Sequence, residues 1–413
     1  MKKKRLIVIG GGAAGFFCAV NAAAMNPALE VIIIEKTGKL LSKVKVSGGG
    51  RCNVTHSCFS IAEMIRKYPR GGSFLKKAFH HFFTTDTIKW FQQKGVELKT
   101  EADGRMFPIC NTSQTIIDCL MNEVNKYGIG ILMNKEVKQL SMVNGQWSIT
   151  FSTESKMEAD FICIASGGYS KPYQFEWLTR LGHTVAAPIP SLFTFNMPGN
   201  EIRTLMGVVV ENVQVKIAST KLGDQGPLLI THWGMSGPAI LKLSAWAARE
   251  LAAHNWQFEI IVNWLPVYNE QTLKDKFQQV RFEIATQKII NRNPFSLPQR
   301  LWQYLLQQSG VNEDLRWADL PAKEQNKLIK NICAQQFIVN GKTTFKEEFV
   351  TAGGVSLEEV DHNTMQSKIA PGLFFAGEVL NIDGVTGGFN FQNAWTTGWI
   401  AAKAIAGRSM EIG

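Results

Sequence analysis

Residues 5–35, "RLIVIGGGAAGFFCAVNAAAMNPALEVIIIE", constrain the fold more than any other stretch. A short apolar run, Leu6 to Ile9, leads into Gly10-x-Gly12-x-x-Gly15, a helical segment, and a second apolar run that ends at Glu35. In a strand–turn–helix unit of this kind Gly10 permits the tight turn and Gly12 lets the backbone approach a pyrophosphate. Gly15 lets helix and strand pack closely. The helix N-terminus offers free N–H groups and the positive end of its dipole to the phosphates. A carboxylate at Glu35 can accept hydrogen bonds from the adenosine ribose hydroxyls, and it makes a 2′-phosphate less welcome. The pattern predicts a dinucleotide-binding α/β fold. It does not separate FAD from NAD.

A chain of 413 residues is too long for one ordinary core, so two or three domains are expected. The basic start "MKKKR" before an apolar stretch has the outline of a signal peptide, but the fixed glycines and the following "EVIIIEK" read as the first strand, turn and helix. A cytoplasmic protein with no membrane span follows from that reading. Seven scattered cysteines suit reduced thiols. Cys52, His56 and Cys58 offer three metal ligands, but no fourth follows at zinc-finger spacing, so no metal site is expected. The formal charge of +10 fits a polyanionic partner, a diphosphate cofactor, or an ordinary basic protein.

The C-terminal segment "GLFFAGEVLNIDGVTGGFNFQNAWTTGWIAAKAIAG" favours FAD. It reads as a strand from Leu373 to Ala376, a Gly377-Glu378 turn, a loop, and a helix starting near Gly388. An extended flavin reaches past the first glycine loop and needs a second element of this kind. Glu378 is placed to accept bonds from ribityl hydroxyls. The N–H groups around Gly388, Phe389 and Asn390 can face the flavin edge where reduced flavin carries negative charge. The same segment would also serve as a turn and cap closing a Rossmann-like domain, with Trp395 and Trp399 in its core.

A second triple glycine, "SGGGRCN", follows the second strand. Ser47, Gly48, Gly49 and Gly50 would let the backbone run beside the isoalloxazine, where a side chain would collide. Arg51 would bring charge and a donor fork to pyrophosphate or flavin oxygens, and Asn53 an amide to the flavin or substrate. A flexible surface loop is the alternative. Cys52 is a candidate proton donor, or simply fills a tight space; His232 in "THWGMSGPA" is the other donor candidate, or a core or capping histidine. "ASGGYSKP" follows the apolar run "FICIA", so Ala165, Ser166 and Gly167 are read as a further backbone contact, with Tyr169 toward the active site. The set of cofactor-facing residues is completed by Ala13, Ala14, Lys36, Val137 and Phe391.

The segments "VIGGGAAG", "SGGGRCNVT", "DGRMFP", "THWGMSGPAIL", "TAGGVSLEEVD" and the C-terminal stretch together resemble the BaiN/RdsA-like family of FAD-dependent oxidoreductases, also described as HI-type flavoproteins. The resemblance spans residues 8 to 399. It implies a discontinuous two-dinucleotide-binding-type FAD domain, 1–190 and 346–413. Between the halves, 191–345 is expected to form a β-barrel carrying a helical insert at about 268–335 and shaping the substrate pocket. It also implies reduction of a conjugated C=C bond, in dehydro-bile-acid intermediates or in a uridine of large-subunit ribosomal RNA.

No second complete glycine fingerprint for a nicotinamide nucleotide is present, so NADH or NADPH would be a transient electron donor. Residues 65–83, "IRKYPRGGSFLKKAFHHFF", interleave bases and aromatics as an RNA-binding surface does. They also place Leu75, Ala78, Phe79, Phe82 and Phe83 on one face of an amphipathic helix packed on the FAD domain. Running the flavin the other way, as a small-molecule dehydrogenase or oxidase, and keeping FAD for structure in a binding module are the remaining readings.

Overall fold

Leu6, Ile7 and Val8 are fully buried, as a strand covered on both faces must be, and Arg5–Ile9 forms the central strand β1. The chain then enters the helix α1 (Ala13–Met25) and returns through β2 (Glu30–Ile34), parallel to β1 with Val8 opposite Ile33. The computed structural model describes residues 3–343 and 350–411. It divides into one unit of Met1–Ser191 with Phe345–Gly413 and another of Leu192–Thr344. The return to the first domain expected at residue 346 lies outside the described residues.

In the first unit five parallel strands run in the order Leu373–Phe375, Phe161–Ile164, β1, β2, Gly130–Leu132. Two strands read from the sequence, around Ile162 and Phe374, thereby become neighbours although about half the chain separates them. The C-terminal helix (Phe389–Glu411) packs along α1, burying Trp395 among Phe17, Phe91 and Phe391 at ring separations of 5.1, 5.6 and 5.8 Å. An antiparallel meander, Val137–Val143, Gln146–Phe151 and Lys156–Ala159, and a small sheet of Thr55–His56, Arg105–Pro108 and Leu98–Thr100 complete its β structure together with the pair Val185–Ser191 and Val350–Val355.

The apolar periodicity of residues 65–83 does not give one helix. A short helix (Ile61–Met64) and a 3-10 turn (Ile65–Lys67) stop at Pro69, and a new helix (Gly72–Ala78) begins after Gly71, whose φ is +79°. Proline lacks the donor that continuing the helix needs, and Gly71 takes a conformation other residues resist. The amphipathic division survives the break: Leu75, Ala78, Phe79, Phe82 and Phe83 are buried while Lys76, Lys77 and His80 are exposed.

The second unit holds a seven-stranded antiparallel sheet, ordered Gln335–Asn340, Gln257–Asn263, Val209–Ile217, Gly223–Ile230, Gly234–Ser236, Thr194–Asn196, Lys342–Thr343. Where a barrel is expected, the hydrogen-bonded order among the described residues is open. Its two end strands are nonetheless consecutive in the chain, joined at Gly341, so the sheet curls on itself. Helices Pro238–Ala253, Glu270–Glu283, Gln299–Ser309 and Ala322–Cys333 belong to the same unit. Trp264, Trp302 and Trp317 are fully buried in its core, each with its indole N–H donated to an oxygen. Among the described residues no helix is long and apolar enough to cross a membrane.

Trp395 in the first unit has the same economy, donating its indole N–H to the Val54 carbonyl at 2.9 Å. Trp395→Ala removes that bond and leaves a large cavity, so it should lower unfolding free energy by about 3–5 kcal/mol. Denaturant titration should show a lower midpoint at an unchanged slope.

Candidate functional site

The first glycine loop divides its roles by sterics. A Cβ on Gly15 would lie 2.0 Å from the Gly10 carbonyl oxygen, whereas a Cβ on Gly12 would meet no atom within 4 Å. Gly15 is therefore needed for packing and Gly12 leaves bare backbone facing open space. Gly12 caps α1 without a side-chain bond, and no acidic residue lies in the first turn, so the amide groups at Ala13 and Ala14 keep their dipole uncompensated. That chemistry fits a diphosphate.

Glu35 closes one side of this loop. Its carboxylate accepts from the Gly11 amide at 2.9 Å and from the Thr37 amide and hydroxyl at 2.8 Å each. Beside it lies a cavity of about 430 Å³ whose lining includes Gly10, Glu35, Lys36, Val137 and Ser166. Five residues chosen from distant stretches of the sequence thus share one cavity, of a size suited to a nucleoside. Tyr169, read from the sequence toward the reacting end, lines this same cavity, with the Lys36 ammonium 5.0 Å from its ring centre. Burial raises its phenol above the usual value. Lys135, Glu136, Trp177 and Arg180 also line it and were not legible, because nothing local marks a residue that reaches a cavity from a neighbouring strand or turn. Ala165 keeps to the sheet, donating its N–H to the Ile9 carbonyl, and Gly167 turns with φ +73°.

The second glycine loop is built differently. Ser47 leaves the helical conformation, and Gly48, Gly49 and Gly50 follow with φ of +59°, +69° and +84°. A Cβ on Gly49 or Gly50 would meet no protein atom within 4 Å, so this turn too presents bare backbone. Arg51 holds the turn in place: its guanidinium pairs with Glu101, donates to the Gly48 carbonyl, and lies 4.0 Å from the Phe107 ring centre. Cys52 comes next, fully buried, at φ +61°. For a non-glycine residue that conformation costs about 1–3 kcal/mol and is concentrated at functional sites. Burial pushes its thiol up to about 12, against the Ser47 side chain, which lowers it.

The C-terminal segment reaches this loop directly. The Asn53 amide donates to the Thr55 carbonyl and accepts from the Gly388 N–H at 2.9 Å, just ahead of the C-terminal helix. Asn390 is tied to Gly384 by two bonds, and the Phe389 ring stacks on His56 at 4.8 Å. Phe391 stacks on Trp395. Gly377 donates its N–H to Thr397, and Glu378 accepts from Lys43 at 2.6 Å and from the Thr351 amide at 2.9 Å. Each carboxylate oxygen keeps capacity for a further donor. Lys43, Thr351 and Thr397 escaped the sequence reading because each meets this turn from a separate element of the fold. His232 belongs to the other unit, exposed on the Thr231–Gly234 turn.

A family model described as the HI0933-like protein Rossmann domain matches residues 4–404. The chain belongs to the HI0933-like family. Among curated relatives of the family, the ribosomal RNA dihydrouridine synthase of Escherichia coli (strain K12) is 30% identical, covering 98% of both chains. The protein of the same description from Haemophilus influenzae is 28% identical over 97% of this chain and 98% of its own. The 3-dehydro-bile acid delta(4,6)-reductase of Clostridium scindens is 26% identical over 98% of this chain and 99% of its own. These relatives place this HI0933-like chain among the flavin-dependent oxidoreductases. A flavocytochrome c3 fumarate reductase in an open conformation shares the fold with a TM-score of 0.51 at 16% identity, over 98% of this chain and 78% of its own. The 3-ketosteroid-delta4-(5alpha)-dehydrogenase of Rhodococcus jostii RHA1 gives 0.50 at 13% identity, over 98% and 97%.

The open space at Gly12 makes a clean substitution. Gly12→Val should fold with stability within about 1 kcal/mol of the parent, since a Cβ there meets no protein atom within 4 Å and the cap had no side-chain bond to lose. The purified variant should nevertheless lack flavin absorbance. A yellow, flavin-replete Gly12→Val would remove the loop from the cofactor site.

Proposed function

We propose that the chain is an FAD-dependent reductase of an activated C=C bond, with a uridine of large-subunit ribosomal RNA as substrate and dihydrouridine as product. The observation that carries this reading is the 30% identity, over 98% of both chains, with an enzyme described as a ribosomal RNA dihydrouridine synthase. The net charge of +10 suits a polyanionic substrate.

FAD, when bound, supplies the hydride for the reduction. The chain's own residues divide the remaining work. The backbone at Gly12 and the uncapped amides of α1 would hold the pyrophosphate, and Glu35 the ribose, with Lys36, Val137 and Ser166 as cavity wall. The bare backbone at Gly49 and Gly50 would admit a planar ring, while Glu378 would meet the ribityl chain. The start of the C-terminal helix would stabilise negative charge at the ring edge. NADH or NADPH would deliver electrons from a transient docking position.

Reducing uracil places hydride on C6 and a proton on C5. Cys52 suits the protonation of C5, because a thiol held up at about 12 keeps its proton throughout the neutral range and gives it only to a strong base, such as an enolate carbon. His232 is the second candidate donor. A second reading, reduction of a small conjugated carbonyl compound, is favoured by the 26% identity with the bile acid reductase of Clostridium scindens over 98% of this chain.

Two measurements check this. Mass spectrometry of large-subunit ribosomal RNA should show one dihydrouridine missing when the gene is deleted and regained when it is returned; an unchanged profile would remove the RNA substrate and leave the small carbonyl compound. Cys52→Ala should retain FAD and its reduction by NAD(P)H while product formation falls by roughly 100-fold or more, the usual weight of a general acid. Unaltered product formation would pass the proton to His232 or water.

A further inference from the structure

One surface of the first unit is used neither by its core nor by the chemistry above. After the break at Pro69 to Gly71, Arg66, Lys67, Lys76 and Lys77 are all exposed, as are His80 and His81. None of these four lysine and arginine side chains joins an ion pair among the described residues, so their charge does nothing evident for the fold. Residues 357–368 lie across from them: His81 meets Asn363 at 3.1 Å, and the half-buried Phe74 ring stands edge-on to His362 at 6.3 Å. Burial first, then the positive charges of Lys77, His81 and Lys368, lower the His362 pKa, with Asp361 opposing them. Positive charge therefore comes here from two separate parts of the chain, with the exposed Glu63 and Glu358 as its nearby carboxylates. Asp361 spends its carboxylate within its own turn, on Asn363 and Thr364.

Between the two segments runs a groove of about 580 Å³, with Ile65, Arg66, Gly72, Phe74, Leu357 and Glu358 in its wall. Its floor is bonded to the loop that leads into the C-terminal helix. The Tyr68 hydroxyl donates to the Phe389 carbonyl at 2.7 Å, the Val385 N–H donates to the Lys67 carbonyl at 2.9 Å, and Arg70 forms an ion pair with the buried Asp383. A strand lying on this surface is thus led toward the segment assigned above to the redox end of the cofactor.

We propose that this face docks the RNA, with backbone phosphates on Arg66, Lys67, Lys76 and Lys77 and an unpaired base in the groove against Phe74. The proposal rests on the ribosomal RNA reading and names the surface that reading requires. Unpaired cations beside an aromatic-lined groove are the combination that holds single-stranded nucleic acid. A membrane surface would instead demand large exposed apolar side chains, and Ile65 and Phe74 are both half-buried.

The test uses the full-length, FAD-loaded protein and an in vitro transcript of large-subunit ribosomal RNA, with binding measured across a range of salt. In the variant Arg66→Ala/Lys67→Ala/Lys76→Ala/Lys77→Ala the affinity at low salt should fall by roughly 30-fold or more, and the slope of log affinity against log salt should drop by about 3. A charge-matched control, Lys274→Ala/Lys323→Ala/Lys327→Ala/Lys330→Ala, changes exposed lysines of the other unit and should bind like the parent. Both variants should keep their FAD and its reduction by NAD(P)H, which separates lost docking from lost folding. Phe74→Ala should weaken binding at an unchanged salt slope, and Phe74→Trp should restore it. Equal affinity and slope in the basic-face variant, or an equal loss in the control, overturns the docking site. If the parent forms dihydrouridine and the basic-face variant does so as efficiently, the docking site falls and the substrate stands. A parent that neither binds nor modifies the RNA takes both down.

Discussion

The first and last helices touch backbone to backbone, and the first unit depends on that contact. A Cβ on Gly398 would stand 2.8 Å from the Ala14 carbonyl oxygen, and one on Gly377 would stand 2.8 Å from the Ala14 Cβ. Ala14 lies in the first turn of α1, so the turn after the Leu373–Phe375 strand is pressed against the same residues whose amides face open space at Gly12. At the far end Asn26 donates to the Ser409 hydroxyl at 2.7 Å. Two segments nearly 400 residues apart are thereby fixed in register along their length. Close packing of this kind transmits displacement poorly absorbed by soft side chains. Any bulk added at Gly398 would move the Gly377-Glu378 turn and the Gly12 loop together.

Buried polar groups reinforce this frame rather than adding a second chemistry. Asp383 is fully buried, held by Arg70 and by the Ser191 hydroxyl at 2.9 Å. Burial raises its carboxyl above the usual range and the guanidinium pulls against it. Losing either partner would strand the other away from water, a cost of about 3–5 kcal/mol. Glu359, His183 and Ser367 form a line of hydrogen bonds, 3.0 and 3.1 Å, that has the outline of a hydrolytic triad. Ser367 is only 2% exposed and already accepts from the Ile369 and Ala370 amides. Its oxygen serves a turn.

How far the sequence discloses such an arrangement depends on how local each cause is. The strand, glycines, helix and Glu35 are set by neighbours within one βαβ unit, and they are where the periodicity puts them. The break at Pro69 to Gly71 is also local, but the apolar periodicity of the flanking residues outweighs two residues in any window count. Arg51, Asn53 and Asn390 show the other limit. Each is a polar side chain on a glycine-rich loop and reads as a ligand to something absent. Each also has protein partners that the sequence does not show: Glu101 and Phe107, Thr55 and Gly388, and Gly384. A donor's type is visible in sequence, while its partner is decided by a long-range contact. The curled sheet of the second unit is hidden for the same reason, since closure or its absence depends on which distant strands meet.

The two glycine loops reach bare backbone by opposite routes, and that contrast organises the proposed site. At Gly12 the backbone is extended and needs no special conformation; glycine there removes a side chain from a helix end that has donors to offer. At Gly48 to Gly50 the residues turn through positive φ, so glycine relieves strain as well as bulk. Cys52 takes the same kind of φ without that relief and places its side chain in the interior. A serine there would bring a stronger hydrogen-bonding group into the same burial. Cysteine is small, tolerates desolvation and retains a proton to give. One residue earlier, Arg51 anchors the same loop through its ion pair with Glu101 and its place over the Phe107 ring.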